Sequence, residues 1–393
     1  MSVFDHQPRT RLVFGNNTVE RTGELCREYG AGKVLVVTDP GIAKAGHLDH
    51  ALEALGKVGL PVVVYDQVRE NPTTRDVASC LELARREQVD FIIGLGGGSS
   101  MDTAKGCNFI LTNGGEMKDY WGIGKAGKPM LPMIAIPTTS GTGSECQSFA
   151  LIADEVTHSK MACGDPKAAA KVAILDPLLT VSQPTAVTAN TGIDAIAHAV
   201  ETAVTRKRNA LSLMYSHEAF KLCVLSLPRV LENPGDVEAR GQMLLGAALA
   251  GTAIENSMLG AAHSAANPLT AHFGTVHGTA VGMMLPLIVR FNAEEPSARR
   301  AYAELASAPE IANVSDGVDA ALEALIARLE SLLNQAGMPR SLADCGATQD
   351  LIPTLSAEAA QQWTANFNPR KITADHFASL YAQGFTPRGN GDA

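Results

Sequence analysis

The sequence predicts an α/β first half built on a parallel sheet, followed by an all-helical second half. Three observations lead there. Short β-branched, apolar runs alternate with helical patterns up to about residue 180. Helical periodicity dominates beyond it. Within that second half, residues 256–289 form a 34-residue stretch without Asp, Glu, Lys or Arg, which reads as buried helices. The expected domains are residues 1–180 and 181–393.

The strand candidates are residues 33–38 (KVLVVT), 61–65 (PVVVY), 90–95 (DFIIGL) and 133–137 (MIAIP). Continuous apolar runs of this kind suit a parallel sheet covered on both faces. Between them lies a helical pattern over 76–87, after a start signal at Thr73-Thr74. Residues 148–162 alternate, with a turn at Asp154-Glu155, and read as a hairpin beside the sheet. After Asp176-Pro177 the helical segments are 188–205, 209–231, 236–257, 260–272, a piece following His277, and 316–336. No internal repeat is visible, and residues 386–393 are expected to fray.

With 393 residues the chain can bury two good cores. A hydrophobic content of 46% and a charged content of 19% describe an ordinary globular protein. The net charge of −9 supplies no basic excess, which excludes a general nucleic-acid or membrane-surface binder. Seven cysteines, with no pair at C-x-x-C spacing, give neither a disulfide framework nor a zinc knuckle. They fit a reducing compartment. The polar N-terminus has no apolar signal core, so a cytoplasmic location is expected. The charge-free stretch is long enough to raise the question of a membrane span. Asn256, His263, Asn267, Pro268, His272, His277 and Pro286 interrupt it and argue for buried helices in a soluble protein.

The run 90–95 leads into Gly96-Gly97-Gly98-Ser99-Ser100 and then into a helix beginning near Met101-Asp102. Glycines let a phosphate approach the backbone, and a helix N-terminus offers free N–H groups and a positive dipole end. A pyrophosphate is expected there; a tight strand–helix turn is the plain alternative. The loop departs from the Rossmann fingerprint: it follows the third strand candidate, and no G-x-G-x-x-G is complete. Asp39 ends an earlier strand, 57 residues before Gly96. A carboxylate there can accept the adenosine ribose hydroxyls and repel a 2′-phosphate, favouring NAD over NADP; capping a turn is its other reading. A second loop, 137–145 (PTTSGTGSE), places five hydroxyls within residues 138–144. It suits a cofactor lining or, more plainly, a helix cap before Glu145.

Asp194 and His198 lie at i and i+4 on an apolar helix, so both project from one face. A buried ion pair would account for them alone. His263 and His277, 14 apart in the charge-free stretch, extend the set to one carboxylate and three imidazoles. Such ligands suit Fe(II), Zn(II), Mn(II), Co(II) or Ni(II), and spacing does not choose among these.

GGGSSMDTAK (96–105), PTTSGTGSE (137–145), Asp176-Pro177, TGIDAIAHAVE (191–201), GAAHSAANPL (260–269), HG (277–278) and NPR (368–370) together resemble the iron-containing (group III) alcohol dehydrogenase family over almost the whole chain. The resemblance implies a Rossmann-like dinucleotide-binding domain, an all-α domain, and an active site in the cleft between them. It implies Fe2+ held by Asp194, His198, His263 and His277, with Zn2+ as the alternative. It implies NAD(H) contacts from Asp39, Asn71, Gly97, Gly98, Ser99, Thr138, Thr139, Thr142, Phe149, Lys160 and Leu179, and the glycine loop adds Gly96 and Asp102. Lys160 would reach the nicotinamide ribose or serve as a hairpin surface charge. One departure stands out. Many members carry a further histidine four residues after the first of this segment, where this chain has Asn267. Asn cannot carry a proton near neutral pH. His272, where relatives carry an apolar or aromatic residue, either compensates or simply packs and hydrogen-bonds.

The expected reaction is hydride transfer between nicotinamide C4 and a small primary alcohol or aldehyde, with catalytic roles at His263, His277, His272 and Asn267 and the metal as Lewis acid. Ala- and Gly-rich surroundings favour a small, uncharged substrate. A homodimer or larger homo-oligomer is expected from the family habit. Rival readings are a reductase of a functionalised oxo compound (maleylacetate or phosphonoacetaldehyde type), a lyase similar to dehydroquinate synthase, and a non-catalytic metal scaffold.

Overall fold

The computed structural model describes residues 4–157 and 159–387. Of the tail expected to fray, 388–393 lie outside the described residues. Residues Gln7–Gln183 form one compact unit, and the chain from Pro184 onward, with the N-terminal stretch up to His6, forms the other.

Among the described residues the first unit contains nine strands: β1 (Arg11–Phe14), β2 (Val34–Val37), β3 (Val62–Tyr65), β4 (Phe91–Gly96), β5 (Gly122–Ile123), β6 (Met133–Pro137), β7 (Phe149–Ala153), β8 (Lys160–Gly164) and β9 (Val172–Leu175). Its helices are α1 (Thr22–Glu28), α2 (Pro40–Lys44), α3 (His47–Lys57), α4 (Thr74–Glu87) and α5 (Gly98–Asn113). Six strands make one parallel sheet in the order β1-β9-β6-β4-β2-β3. Every residue of β2, β4, β6 and β9 is buried, because the sheet is covered on both faces. Alternation along each strand sorts side chains between two cores. Val34, Val36, Phe91, Ile93 and Leu95 join α1 and α3 on one face, while Leu35, Val37 and Ile92 join α4 and α5 on the other. The hairpin read from the sequence is β7 against β8, antiparallel, and β5 completes a separate small sheet.

All four strand candidates form, with ends within about one residue. The edge strand β1 and the inner strand β9 were not foreseen; because β1 comes first in the chain, the glycine loop follows the fourth strand rather than the third. β1 exposes three of its four residues, and β9 is a short apolar run, VAIL, directly after three alanines and Lys171. The helix after the glycine loop begins at Gly98, earlier than expected. Gly98 and Ser99 therefore occupy its first turn. No α-helix follows Ser144-Glu145: a single 3-10 turn, Ser144–Cys146, stands there. That sets aside the helix-cap reading of this loop.

The second unit is helical: α6 (Thr185–Thr202), α7 (Ala210–Glu232), α8 (Val237–Ser257), α9 (Ala261–Phe273), α10 (His277–Asn292), α11 (Pro296–Ser307), α12 (Val318–Gln335), α13 (Ile352–Gln361) and α14 (Ala374–Gly384). They share one core that includes Ile193, Phe220, Leu269, Ile288, Leu329 and Tyr381. No described helix is long and apolar enough to cross a membrane.

Candidate functional site

Helix α6 carries Asp194, His198 and Glu201 at i, i+4 and i+7, one stripe of a helix buried along most of its length. Asp194 Oδ1 is the meeting point of the cluster. It lies 3.5 Å from His198 Nε2, 3.4 Å from His263 Nε2 and 3.8 Å from His277 Nε2. The His198 and His263 rings stack with centroids 4.7 Å apart. Ligand atoms from Asp194, His263 and His277 all fall within 4.8 Å of one another. Ligands about 2.1 Å from a tetrahedral ion lie about 3.4 Å from each other. The spacing here suits atoms arranged around an ion better than hydrogen-bonded pairs. Among the described residues, neither Asp194 Oδ1 nor His263 Nε2 has a hydrogen-bond partner, although both are buried. An orphaned buried polar atom is costly, and a divalent ion would satisfy both atoms at once. The residues present therefore fit the metal read from the sequence.

Burial works to raise the Asp194 carboxyl, yet His198, His263 and His277 outweigh it and hold that group well below the usual carboxylate range. For His263, burial works to lower the imidazolium, but Glu201 and Asp194 outweigh it and lift it to about 9. Glu201 is a functional residue the sequence reading missed. Its Oε2 lies 2.6 Å from His263 Nδ1, and its Oε1 accepts from Ala262 N at 2.6 Å. The first contact fixes the ring orientation and leaves Nε2 for a metal. The second caps a free N–H at the start of α9. Its i+7 relation to Asp194 was the available signal.

His277 opens α10, and a close helix contact positions it. A Cβ at Gly278 would collide with the Asn190 carbonyl oxygen on α6. Thr279 Oγ1 donates to Asn190 Oδ1 at 2.6 Å across the same contact. The His277 side chain keeps 29% exposure against 6% for Asp194, His198 and His263, so the cluster opens on its side.

The structure separates His272 from this cluster. His272 follows His263 by nine residues on α9, about 900° at 100° per residue, which places the two on opposite faces. It is partly exposed and pairs with Glu358 at 2.9 Å. Asn267, one turn beyond His263, stays on the cluster's face and donates from Nδ2 to Gln362 Oε1 at 3.0 Å.

In the first unit, Gly96 ends β4 and Gly97 precedes α5. Thr139 lies against Gly97, and Thr142 lies so close to Gly98 that a Cβ there would stand 2.9 Å from its methyl group. The Thr138 N–H donates to Gly96 O at 3.0 Å, and the Asn71 N–H donates to Ser99 Oγ at 3.3 Å. Asp39 caps α2 through Oδ1, accepting from Gly41 and Ile42 N–H at 2.8 and 3.0 Å, while Oδ2 faces Gly96. The buried hydroxyls of Thr38, Ser100 and Thr138 have no hydrogen-bond partner among the described residues. They sit just past the carboxyl ends of the neighbouring strands β2, β4 and β6, where ligands of parallel sheets bind. Phe149 begins β7 and Lys160 begins β8, with Lys160 exposed opposite Ala153. Leu179 is buried in the core beneath α1 and α3. Asp102 is buried and accepts from Ser144 Oγ at 2.9 Å, so a neighbouring side chain already occupies it.

Comparison with known proteins agrees with this geometry. Residues 8–177 match the model of iron-containing alcohol dehydrogenase, and 188–385 match the C-terminal model of the same family. The chain is 33% identical to 1,3-propanediol dehydrogenase of Klebsiella pneumoniae, covering 98% of this chain and 99% of that one. It is 32% identical to NAD-dependent methanol dehydrogenase of Bacillus methanolicus, covering 94% and 96%. A crystal structure of 1,3-propanediol oxidoreductase superposes with a TM-score of 0.94 at 32% identity, over 98% and 100% of the two chains. The chain belongs to the iron-containing alcohol dehydrogenase family, a family of oxidoreductases.

Proposed function

We propose that this protein is an NAD(H)-dependent alcohol dehydrogenase or aldehyde reductase that uses Fe2+. The substrate we assign is a small primary alcohol and its aldehyde. The observation that carries this reading is the buried Asp194 oxygen ringed by three imidazole Nε2 atoms, backed by Glu201. NAD dependence is supported by Asp39 beside Gly96 and by the methanol dehydrogenase relative.

Asp194, His198, His263 and His277 would hold the ion, which when bound supplies Lewis-acid polarisation of an alcohol or carbonyl oxygen. Glu201 keeps His263 in one tautomer and orientation. The first turn of α5 offers N–H groups at Gly98 and Ser99 for a pyrophosphate, and Thr138, Thr139 and Thr142 add hydroxyls beside them. Asp39 Oδ2 is placed to accept a ribose hydroxyl. Asn267 offers an amide to the substrate and cannot exchange a proton near neutral pH, so the proton of the reaction passes by another route. Apart from Asp194 and Glu201, which the metal set and His263 occupy, α6 and α9 carry no Asp, Glu, Lys or Arg, which favours an uncharged substrate.

The test is an anaerobic assay of protein reconstituted with Fe2+ or Zn2+, following NADH against short alcohols and aldehydes. Metal-dependent turnover should be lost in Asp194→Ala and His277→Ala. Tight NAD+ binding without net redox on any substrate would overturn the proposal and favour the lyase reading.

A further inference from the structure

Lys105 lies on α5 with no solvent exposure. Burying an ammonium is expensive unless its donors are met, and an apolar side chain would fill the same space without that cost. Its Nζ donates to Ser144 O at 2.6 Å, Ser144 Oγ at 2.8 Å and Phe149 O at 3.0 Å. Two of the acceptors belong to Ser144 in the loop that follows β6, and the third is the carbonyl of Phe149, the first residue of β7. Ser144 Oγ in turn donates to Asp102 Oδ1 at 2.9 Å, and Asp102 precedes Lys105 by one turn of the same helix. The Ser144 hydroxyl thus bridges a buried cation and a buried carboxyl group.

The loop so held carries the hydroxyls assigned to the nucleotide. The Ser144 N–H donates to Thr142 Oγ1 at 3.2 Å, and Gln147 Nε2 donates to Thr142 O at 2.7 Å. Thr142 rests on Gly98 and Thr139 on Gly97, at the first turn of the helix that bears Lys105. One ammonium therefore ties the register of the helix N-terminus to that of the hydroxyl loop.

We propose that Lys105, Ser144 and Asp102 form a buried pin whose role is to position the 138–146 loop over the first turn of α5 for the dinucleotide. They are positioning residues. This rests on the reading of that loop as the NAD(H) site. Loosening the pin separates the hydroxyls from the glycine turn, so binding weakens while the chemical step, once the cofactor is bound, changes little.

Wild type, Lys105→Met, Ser144→Ala and Ser144→Thr, all loaded with metal, are titrated with NADH by fluorescence and assayed for KM and kcat, with metal content measured alongside. Loss of a buried hydrogen bond to a charged group corresponds to about tenfold in affinity. The expected result is a Kd for NADH and a KM for NAD+ raised about tenfold or more in Lys105→Met and Ser144→Ala, with kcat within about threefold. Ser144→Thr, which keeps the hydroxyl, restores binding, and metal content is unchanged throughout. If Lys105→Met does not fold, Ser144→Ala decides, because it leaves Lys105 two of its three acceptors. Wild-type NADH affinity in folded Ser144→Ala, or a fall in kcat with KM unchanged, overturns the pin alone. Failure of the wild type to bind NADH overturns the dinucleotide reading as well.

Discussion

Glu145 keeps a carboxyl group in the interior of the hydroxyl loop at 2% exposure, and its Oε1 finds no hydrogen-bond partner among the described residues. Burial pushes it up to about 7, against weaker opposing pulls from its own backbone N–H and from Lys105. Lys105 is the cation facing it, with the Asp102 carboxyl beyond Ser144. A folded-state value above the ordinary 4.5 means that the native protein holds a proton here which the unfolded chain has released. Stability is then lost as pH rises from about 4.5 to about 7 and stays lower above that, by on the order of 3 kcal/mol. Glu145→Gln keeps the shape without the ionisation. The variant should match wild type in urea denaturation near pH 5 and exceed it near pH 8. An equal difference at both values would show that the carboxyl is not titrating in this window. The sequence showed Glu145 only as a polar residue after hydroxyls, because nothing local announces that the loop folds inward over α5. Glu201 is the opposite case. Its spacing from Asp194 and His198 is plain in the sequence, and only the fold brings α9 close enough to reveal its partner. His272 lost its assigned role for a helical reason, nine residues being a half-integral number of turns.

Helices were legible wherever an apolar stripe met a cap. Thr73 and Asp76 form the capping box that starts α4, and Asn209 and Asp236 cap α7 and α8 with their side chains. Strands buried on both faces were legible as unbroken apolar runs; β9 (VAIL) is such a run that the reading passed over, whereas β1 is a mostly exposed edge strand. Less legible was the distance between elements. In the sequence, Gly278 reads only as part of the HG pair at 277–278. In the structure it sits within α10 and admits the backbone of α6. That contact makes a sharp prediction. Gly278→Ala forces the two helices apart or strains them, at a cost of about 1–3 kcal/mol, and carries His277 away from Asp194. Zn2+ affinity should fall tenfold or more and the melting temperature should drop. Gly56→Ala, on α3 with nothing within 4 Å of the added carbon, should change neither measurably. Unaltered metal affinity in Gly278→Ala would mean that the contact does not position the histidine.

At the scale of the whole chain, each unit has its own core and its own candidate ligand. The residues assigned to the metal all lie beyond Pro184, and those assigned to the nucleotide all lie before it. A ligand that binds only the folded state adds RT ln(1 + [L]/Kd), about 2.7 kcal/mol at a hundredfold excess over Kd. That energy first protects the elements whose local opening would release the ligand. Hydrogen exchange should therefore separate the two sites. Fe2+ or Zn2+ at about a hundredfold excess should slow exchange in α6, α9 and the first turn of α10 by up to about a hundredfold. NAD+ should instead slow exchange around residues 96–106 and 138–149. Asp194→Ala should abolish the first pattern and leave the second intact. Metal-induced protection confined to residues 7–183 would refute the assignment of the ion to the Asp194 cluster. The sequence made this division readable because its two chemistries, a glycine–hydroxyl loop set and an imidazole–carboxylate set, fall in stretches of different periodicity. Their internal geometry was not readable, since it depends on helix spacings that glycine and alanine leave silent.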